Sequence, residues 1–523
     1  MVAKAATLRA KSPAKGNRRR SVRGPGTSVF DFARRHPEGF AAAPMKSPTL
    51  LLVSLFLACA GCLRAGGAPT VTVDFGVVQG TLRALHGINK GPLAANGLVD
   101  LTAAQKRLRV PATRLHDCHH PNPAVVDIHA VFPNPDADPA RAESYDFRAT
   151  DEYVAAVRAT GAEVVYRLGE SIEHQTVKRH VHPPRDPARW AAVCAGIIRH
   201  YNEGWAGGHQ YGIRYWEIWN EPENRPVMWT GSDAQFLELY RVTARALRAE
   251  FPHLKIGGAS FGHYGRLEGE DLKPSAFVTA FLDLCRRESL PLDFFSWHCY
   301  TDNPAELVLR ARAVRRMLDA RGFQGTESHL NEWNLLPDNS WNLLSRQATG
   351  EMRQRGIDRM MGAEGGAFLV ASLIALQEAP VDMANFYHAE TGGFGMFTEF
   401  GAPTRNYHAL LAFAGMLDTP RRVRATNGGV AGWFVLAGLD ERQDRAGVLL
   451  VNRSGPADLR LALANLPWTG AAAPEVRVVD ERRAFELVPN LDSSATHLAL
   501  RLPPPAVALL TWQRGRPRTR FQD

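Results

Sequence analysis

Tyr215-Trp216-Glu217-Ile218-Trp219-Asn220-Glu221-Pro222-Glu223-Asn224 is the stretch on which the reading of this chain turns. A short apolar run stops at an Asn-Glu-Pro turn, which leaves an acidic side chain at the C-terminal end of a strand. Outward from it, similar runs recur at 84–88, 112–115, 163–168, 255–259, 294–299, 330–333 and 384–387. With 213–219 they make eight, most of them followed by a turn-rich loop and a stripe of helical period. Eight such units across residues 84–416 predict an α/β fold, a closed (β/α)8 TIM barrel with enlarged loops.

Several helix starts are written in the sequence. Asp186-Pro187 puts a capping carboxylate before a first-turn proline, and Ser232-x-x-Gln235 has the spacing of a capping box. An apolar stripe at Phe277, Phe281, Leu284 and Cys285 opens after Pro274-Ser275. Beyond Pro420 the period changes to that of short strands separated by Gly, Pro and Asp turns. Residues 420–512 are therefore expected to form an antiparallel β-sandwich, joined by the strand-like segment 70–82 from before the barrel. The Arg-rich segment 513–523 is read as a tail.

The formal charge of +9 suggests a polyanion partner until its location is considered. Residues 1–44 hold ten Lys and Arg against Asp31 and Glu38, so the remainder is close to neutral. A near-neutral body has no long-range field for nucleic acid, and none is expected as a partner. Segment 1–44 is read as a basic extension upstream of a better start at Met45. From there Lys46, an apolar run over 50–60 and small residues before Cys62 have the pattern of a signal peptide. This predicts export to the periplasm, cell envelope or medium, with acylation of Cys62 as the one route to a membrane. Outside the signal, Cys118, Cys194, Cys285 and Cys299 are scattered with no CxxC spacing, and buried thiols are the preferred reading.

Paired acids are sought at strand ends, because a barrel of this kind works at that face. Glu221 ends the fourth strand, and His329-Leu330-Asn331-Glu332-Trp333-Asn334 ends the seventh. Strands four and seven stand on opposite walls, so Glu221 and Glu332 can converge on one anomeric carbon. Cleavage of a glycosidic bond needs that pair, one to protonate the leaving oxygen and one to attack. Glu221, between Trp219 and Pro222, is expected to be desolvated and protonated near neutral pH. Glu332 is expected to stay ionised by accepting hydrogen bonds from Arg114 or Tyr300. A lone Asn-Glu-Pro is a common loop tripeptide; Trp-x-x-Trp before it and Glu-Trp-Asn at a later strand end make it specific. Glu217 is read as bonding within the barrel, and Glu223 as a rim residue or a substrate contact. Cys118-His119-His120 invites a metal reading, but neighbours in one loop rarely converge on one ion. Neither metal nor cofactor is expected.

These motifs, with Arg114–Asp117, LKIGGAS at 254–260, DFFSWHCY around His298 and GGFGMF at 392–397, resemble glycoside hydrolase family 39. That is the β-xylosidase and α-L-iduronidase family in a clan of retaining barrel glycosidases. The resemblance implies Glu221 as acid/base and Glu332 as nucleophile. It places Arg114, His116, Asn220, His298, Tyr300 and Trp333 around the sugar, with Arg114 holding Glu332, and implies an oligo- or polysaccharide substrate. Where the family pattern has an aromatic platform on the eighth strand, this chain has Asn385-Phe386-Tyr387-His388. Two other readings therefore stay open: another retaining glycosidase of arabinofuranosidase or endoglucanase type, or an envelope barrel that binds carbohydrate without cleaving it. Oligomeric state is left open.

Overall fold

The computed structural model describes residues 68–119, 124–345, 347–468, 473–488 and 497–515. The extension 1–44, the signal 45–62 with Cys62, His120, and residues 516–523 of the tail lie outside them.

Eight parallel strands close into a barrel in the order Gly87–Asn89, Ala112–Leu115, Glu163–Leu168, Tyr215–Ile218, Lys255–Phe261, Phe294–Thr301, Glu327–Leu335 and Met383–Phe386. Near-continuous apolar runs suit strands covered on both faces, and the fourth and second strands are buried at every position. Strand bounds shift from the sequence reading mainly in the first, which begins at Gly87, and the seventh, which extends to Leu335.

A helix follows each barrel strand, and three of these helices start where the capping chemistry placed them. The Asp186 side chain accepts from the amides of Ala188 and Arg189 at the head of Pro187–Glu203. Ser232 and Gln235 form a reciprocal capping box before Asp233–Glu250, and Ser275 caps Ala276–Arg287. The four cysteines among the described residues are free and buried.

The β-domain is one nine-stranded sheet, and Thr70–Thr81 lies inside it, antiparallel to Arg421–Thr426 and parallel to Asp458–Ala464. Four strand steps separate Thr70–Thr81 from Ala506–Gln513, roughly 19 Å in a flat sheet. Yet the rings of Phe75 and Trp512 are 6.5 Å apart. The sheet therefore curls until its inner face closes on itself around Val73, Val423, Leu461 and Leu510. Its other face, through Leu449, Val451, Val507 and Leu509, joins the barrel's own core beside Phe368 and Phe413.

Candidate active site

Arg114, on the second strand, is completely buried and organises the C-terminal mouth of the barrel. Its Nε donates to Glu217 Oε2 at 2.7 Å, and Nη1 to Glu332 Oε1 at 2.8 Å and Asn89 Oδ1 at 3.1 Å. Nη2 donates to Asn220 Oδ1 at 2.7 Å and Ser260 Oγ at 2.8 Å. One guanidinium thus ties together the first, fourth, fifth and seventh strands, and its fixed fork suits that task better than an ammonium would. Glu217 is fully absorbed by this scaffold, since its second oxygen accepts from Asn331 Nδ2 at 2.7 Å.

The seventh strand reaches the site through a bulge. Register against the sixth strand slips between Leu330 and Glu332, leaving Asn331 as the extra residue. Strict alternation would send Asn331 and Glu332 to opposite faces; the bulge turns both inward and Trp333 outward. Trp333 is consequently not a sugar contact, which corrects the sequence reading. Its ring is fully buried against Phe368 and Phe386, in the layer between strand and helix.

Glu221 enters from the opposite wall. Trp219 and Glu221 take left-handed backbone angles (φ 68° and 43°), and the Glu221 amide donates to Ser260 O at 3.0 Å. Such angles in non-glycine residues gather where a site holds them in place. One oxygen each of Glu221 and Glu332 and a nitrogen of His298 lie within 4.8 Å of one another. His298 Nδ1 stands between the acids, 2.8 Å from Glu221 Oε1 and 3.5 Å from Glu332 Oε2. Its Nε2 is 2.6 Å from Ser260 Oγ.

The protonation pattern differs from the sequence expectation. Glu332 is buried and Glu221 mostly so, but His298 Nδ1 and Asn224 Nδ2 (2.9 Å) sit on the two oxygens of Glu221 and hold it below its ordinary value. Burial and the charge of Glu221 push Glu332 up, against the pull of His298 and Arg114 and the Tyr300 hydroxyl at 2.8 Å. Flanking Trp219 and Pro222 do not make an apolar pocket for Glu221, because the polar contacts come from the fourth-strand loop and the sixth strand. His298 is raised, chiefly by the two carboxylates working against its burial. The three groups therefore bind protons as a unit.

His116 is neutral: Arg167 Nε donates to its Nδ1 at 3.2 Å, so the proton sits on Nε2, 3.8 Å from Glu332 Oε1. Burial drives its pKa well down. Asp117, held low by the charge of Lys90 and the Ile172 amide against its burial, accepts from the Tyr387 hydroxyl at 3.0 Å. Glu223 takes the His263 amide at 2.7 Å, while its other oxygen is buried with no hydrogen-bond partner among the described residues. Burial and the neighbouring charge of Glu221 push it up to about 7.

All the remaining sequence candidates (Arg114, His116, Asn220, His298 and Tyr300) come together here. Sequence reasoning missed Ser260, Asn331 and Asn89, although Ser260 lies in the LKIGGAS motif and Asn331 beside Glu332. It also missed an aromatic wall. Tyr300 packs edge-on against Trp341 at 5.3 Å, with Tyr387 and Phe394 completing the group. Trp341 comes from the loop after the seventh strand, and nothing in its spacing signals a role.

Residues 137–319 match the family model for glycosyl hydrolases family 39. Over 270 residues the chain is 27% identical to a β-xylosidase of Geobacillus stearothermophilus, covering 46% of this chain and 49% of that one. Over 260 residues it is 22% identical to a β-xylosidase of Caldicellulosiruptor saccharolyticus, covering 44% and 47%. The chain thus spans about half the length of these curated relatives. Among solved structures, a glucosidase from Croceicoccus marinus superposes with a TM-score of 0.69 at 23% identity, covering 86% of this chain and 99% of that one. A monomeric β-xylosidase from Caulobacter crescentus gives 0.63 at 17% identity, covering 86% and 100%. At these identities the superpositions establish a shared fold.

Proposed function

From the premise that this chain is related to glycosyl hydrolases family 39 through residues 137–319, we propose that it is a retaining, β-xylosidase-like glycoside hydrolase. The observation carrying this is the approach of Glu221 and Glu332 to within 4.8 Å around His298. Retaining enzymes place their carboxyl groups about 5–5.5 Å apart and inverting ones about 6.5–9.5 Å, leaving room for a water. A glycosidic bond lying between the two acids breaks as a Glu332 oxygen bonds to the anomeric carbon. Glu221 gives the departing oxygen the proton that it shares with His298 Nδ1. Water then attacks the same carbon, Glu221 takes a proton from that water, and Glu332 is released as carboxylate. Arg114 and Tyr300 hold the oxygens of Glu332, fixing its direction of attack. Asn220 spends its Oδ1 on Arg114 and Ser260, which leaves its amide nitrogen to meet a sugar hydroxyl. Trp341 beside Tyr300 offers the aromatic platform that the eighth strand lacks. The proposal includes export, which rests on the sequence of 45–62 alone.

The test is a panel of aryl glycosides (β-xyloside, β-glucoside, β-galactoside, α-arabinofuranoside, α-iduronide) assayed with wild type and variants. On the turned-over sugar, Glu332→Ala is expected to lose roughly 10³-fold or more in turnover, and Glu221→Ala about 10²–10⁴-fold. Azide should restore part of each: an inverted glycosyl azide with Glu332→Ala and a retained one with Glu221→Ala. Near wild-type turnover by either variant would refute the assignment. Oligosaccharide binding measured by calorimetry with no product released would support a binding-only barrel instead.

A further inference from the structure

We propose that Asp151, His200 and His209 form a divalent-cation site with zinc-type chemistry in the helical layer, separate from the two catalytic acids. Asp151 lies in the first turn of Arg148–Ala159, and His200 near the end of Pro187–Glu203. His209 follows the helix stop at Gly204 (φ 76°) on a loop that folds back over the helix end. The His209 amide donates to His200 O at 2.6 Å, and the Gly204 amide to His209 O at 2.9 Å. The fold-back requires glycine at 208, where a Cβ would stand 2.2 Å from His200 O and 2.6 Å from its Nδ1. The loop is thus built to bring one imidazole up to the other.

The donor atoms converge. Asp151 Oδ1 is 2.8 Å from His200 Nε2 and 3.4 Å from His209 Nε2, and all three lie within 4.8 Å of one another. The His200 tautomer is set by its other nitrogen: Nδ1 is 3.0 Å from Trp205 O, a pure acceptor, so Nδ1 carries the proton. In the neutral ring the Nε2 lone pair then faces a carboxylate oxygen. A carbonyl behind the ligating imidazole is the outer contact that metal-binding histidines commonly have. His209 Nε2 is buried with no hydrogen-bond partner among the described residues. A proton on His200 would satisfy the pair with Asp151 but leave His209 Nε2 only its 3.4 Å contact with the same oxygen; a metal ion satisfies all three.

Zinc at about 2.0–2.1 Å from each ligand sets tetrahedral ligand separations of about 3.3–3.4 Å. The contact between His209 and Asp151 already has that length, and the one between His200 and Asp151 must open by about 0.5 Å. The rings are pre-oriented, His200 stacked on Phe147 at 3.5 Å and His209 on Tyr211 at 4.4 Å. Asp151 and His209 side chains are 29% and 30% exposed, which leaves an entry path and room for water as fourth ligand. The other histidine–carboxylate cluster, Asp127, His129 and Glu170, lacks this freedom, because Asp127 is held by Arg167 and Ser171.

The full-length protein, stripped with chelator and dialysed against zinc, should retain about one zinc per chain by elemental analysis and gain several degrees in Tm. Cobalt should give the visible bands of a tetrahedral site in the wild type, a readout that does not depend on any variant folding. His209→Gln and Asp151→Asn, checked for unchanged circular dichroism, should each lower zinc retention at least tenfold and abolish the Tm gain. Failure of the wild type to hold zinc after desalting would overturn the proposal. So would unchanged stoichiometry in both variants, which would place the ion elsewhere.

Discussion

Gly262 is bare because Glu221 occupies the space a side chain would need: a Cβ there would stand 2.4 Å from Glu221 Oε1 and 3.0 Å from its Cδ. Gly262→Ala should push that carboxyl off His298 and lower kcat about 10- to 100-fold, with KM much less affected, since misplacing a reacting group by an ångström costs that order. Unchanged kcat in steady-state assays would show that Glu221 need not occupy this position. The two acids were legible at this scale because each sits in a dense motif at a strand end. Their protonation was not. It depends on His298, 77 residues from Glu221 in sequence, and on Asn224, whose amide reaches back onto Glu221; flanking residues alone gave the wrong sign. Arg114 was legible as the holder of Glu332, but its hub role needs the three-dimensional closure of the barrel.

At the level of single elements, the seventh strand shows what a period-two pattern misses. Its bulge at Asn331 carries Glu332 inward and Trp333 outward, so a motif in which the two are adjacent splits between chemistry and core. Trp333→Ala should destabilise by about 3–5 kcal/mol in denaturant titration, the range for removing a buried aromatic. An effect confined to KM with unchanged stability would return Trp333 to the sugar site. The loop after that strand behaves in the opposite way. Trp341 is half-buried beside Tyr300, and Trp341→Ala should raise KM several-fold while shifting Tm little; a large Tm loss with normal KM would make it a packing residue. The helix starts at Asp186, Ser232 and Ser275 were readable because a cap is a local contract between side chain and backbone. The loop aromatics were not, because their partners come from other strands.

Across the whole molecule, barrel and curled sheet share one buried cluster, in which Leu449, Val507 and Leu509 of the sheet lie with Phe368 and Phe413 of the barrel helices. Calorimetry is therefore expected to give a single cooperative transition, and two resolved transitions would contradict a shared core. The eight-strand count was legible because each strand carries its own apolar run. The curl of the sheet was not, since it is written in contacts such as that between Phe75 and Trp512. The buried charges also shape stability. Glu390, 3% exposed and 3.7 Å from Lys90, is pushed up to about 7 by burial. Unfolded, it ionises near 4.5, so its contribution favours folding below that pH and is lost as pH rises through about 7. Buried neutral histidines such as His86, held down at about 4, act in the opposite sense. The prediction therefore concerns the difference: Glu390→Gln should gain Tm relative to wild type between pH 4.5 and 7, and a constant difference would refute it. Retaining cleavage by this pair of acids requires a covalent intermediate at Glu332 in the intact protein. A 2-deoxy-2-fluoro glycosyl fluoride of the sugar that is turned over, followed by peptide mass mapping, should place one label on Glu332. A label on Glu221 or Glu223, or turnover of the reagent's parent glycoside to an inverted product, would contradict it.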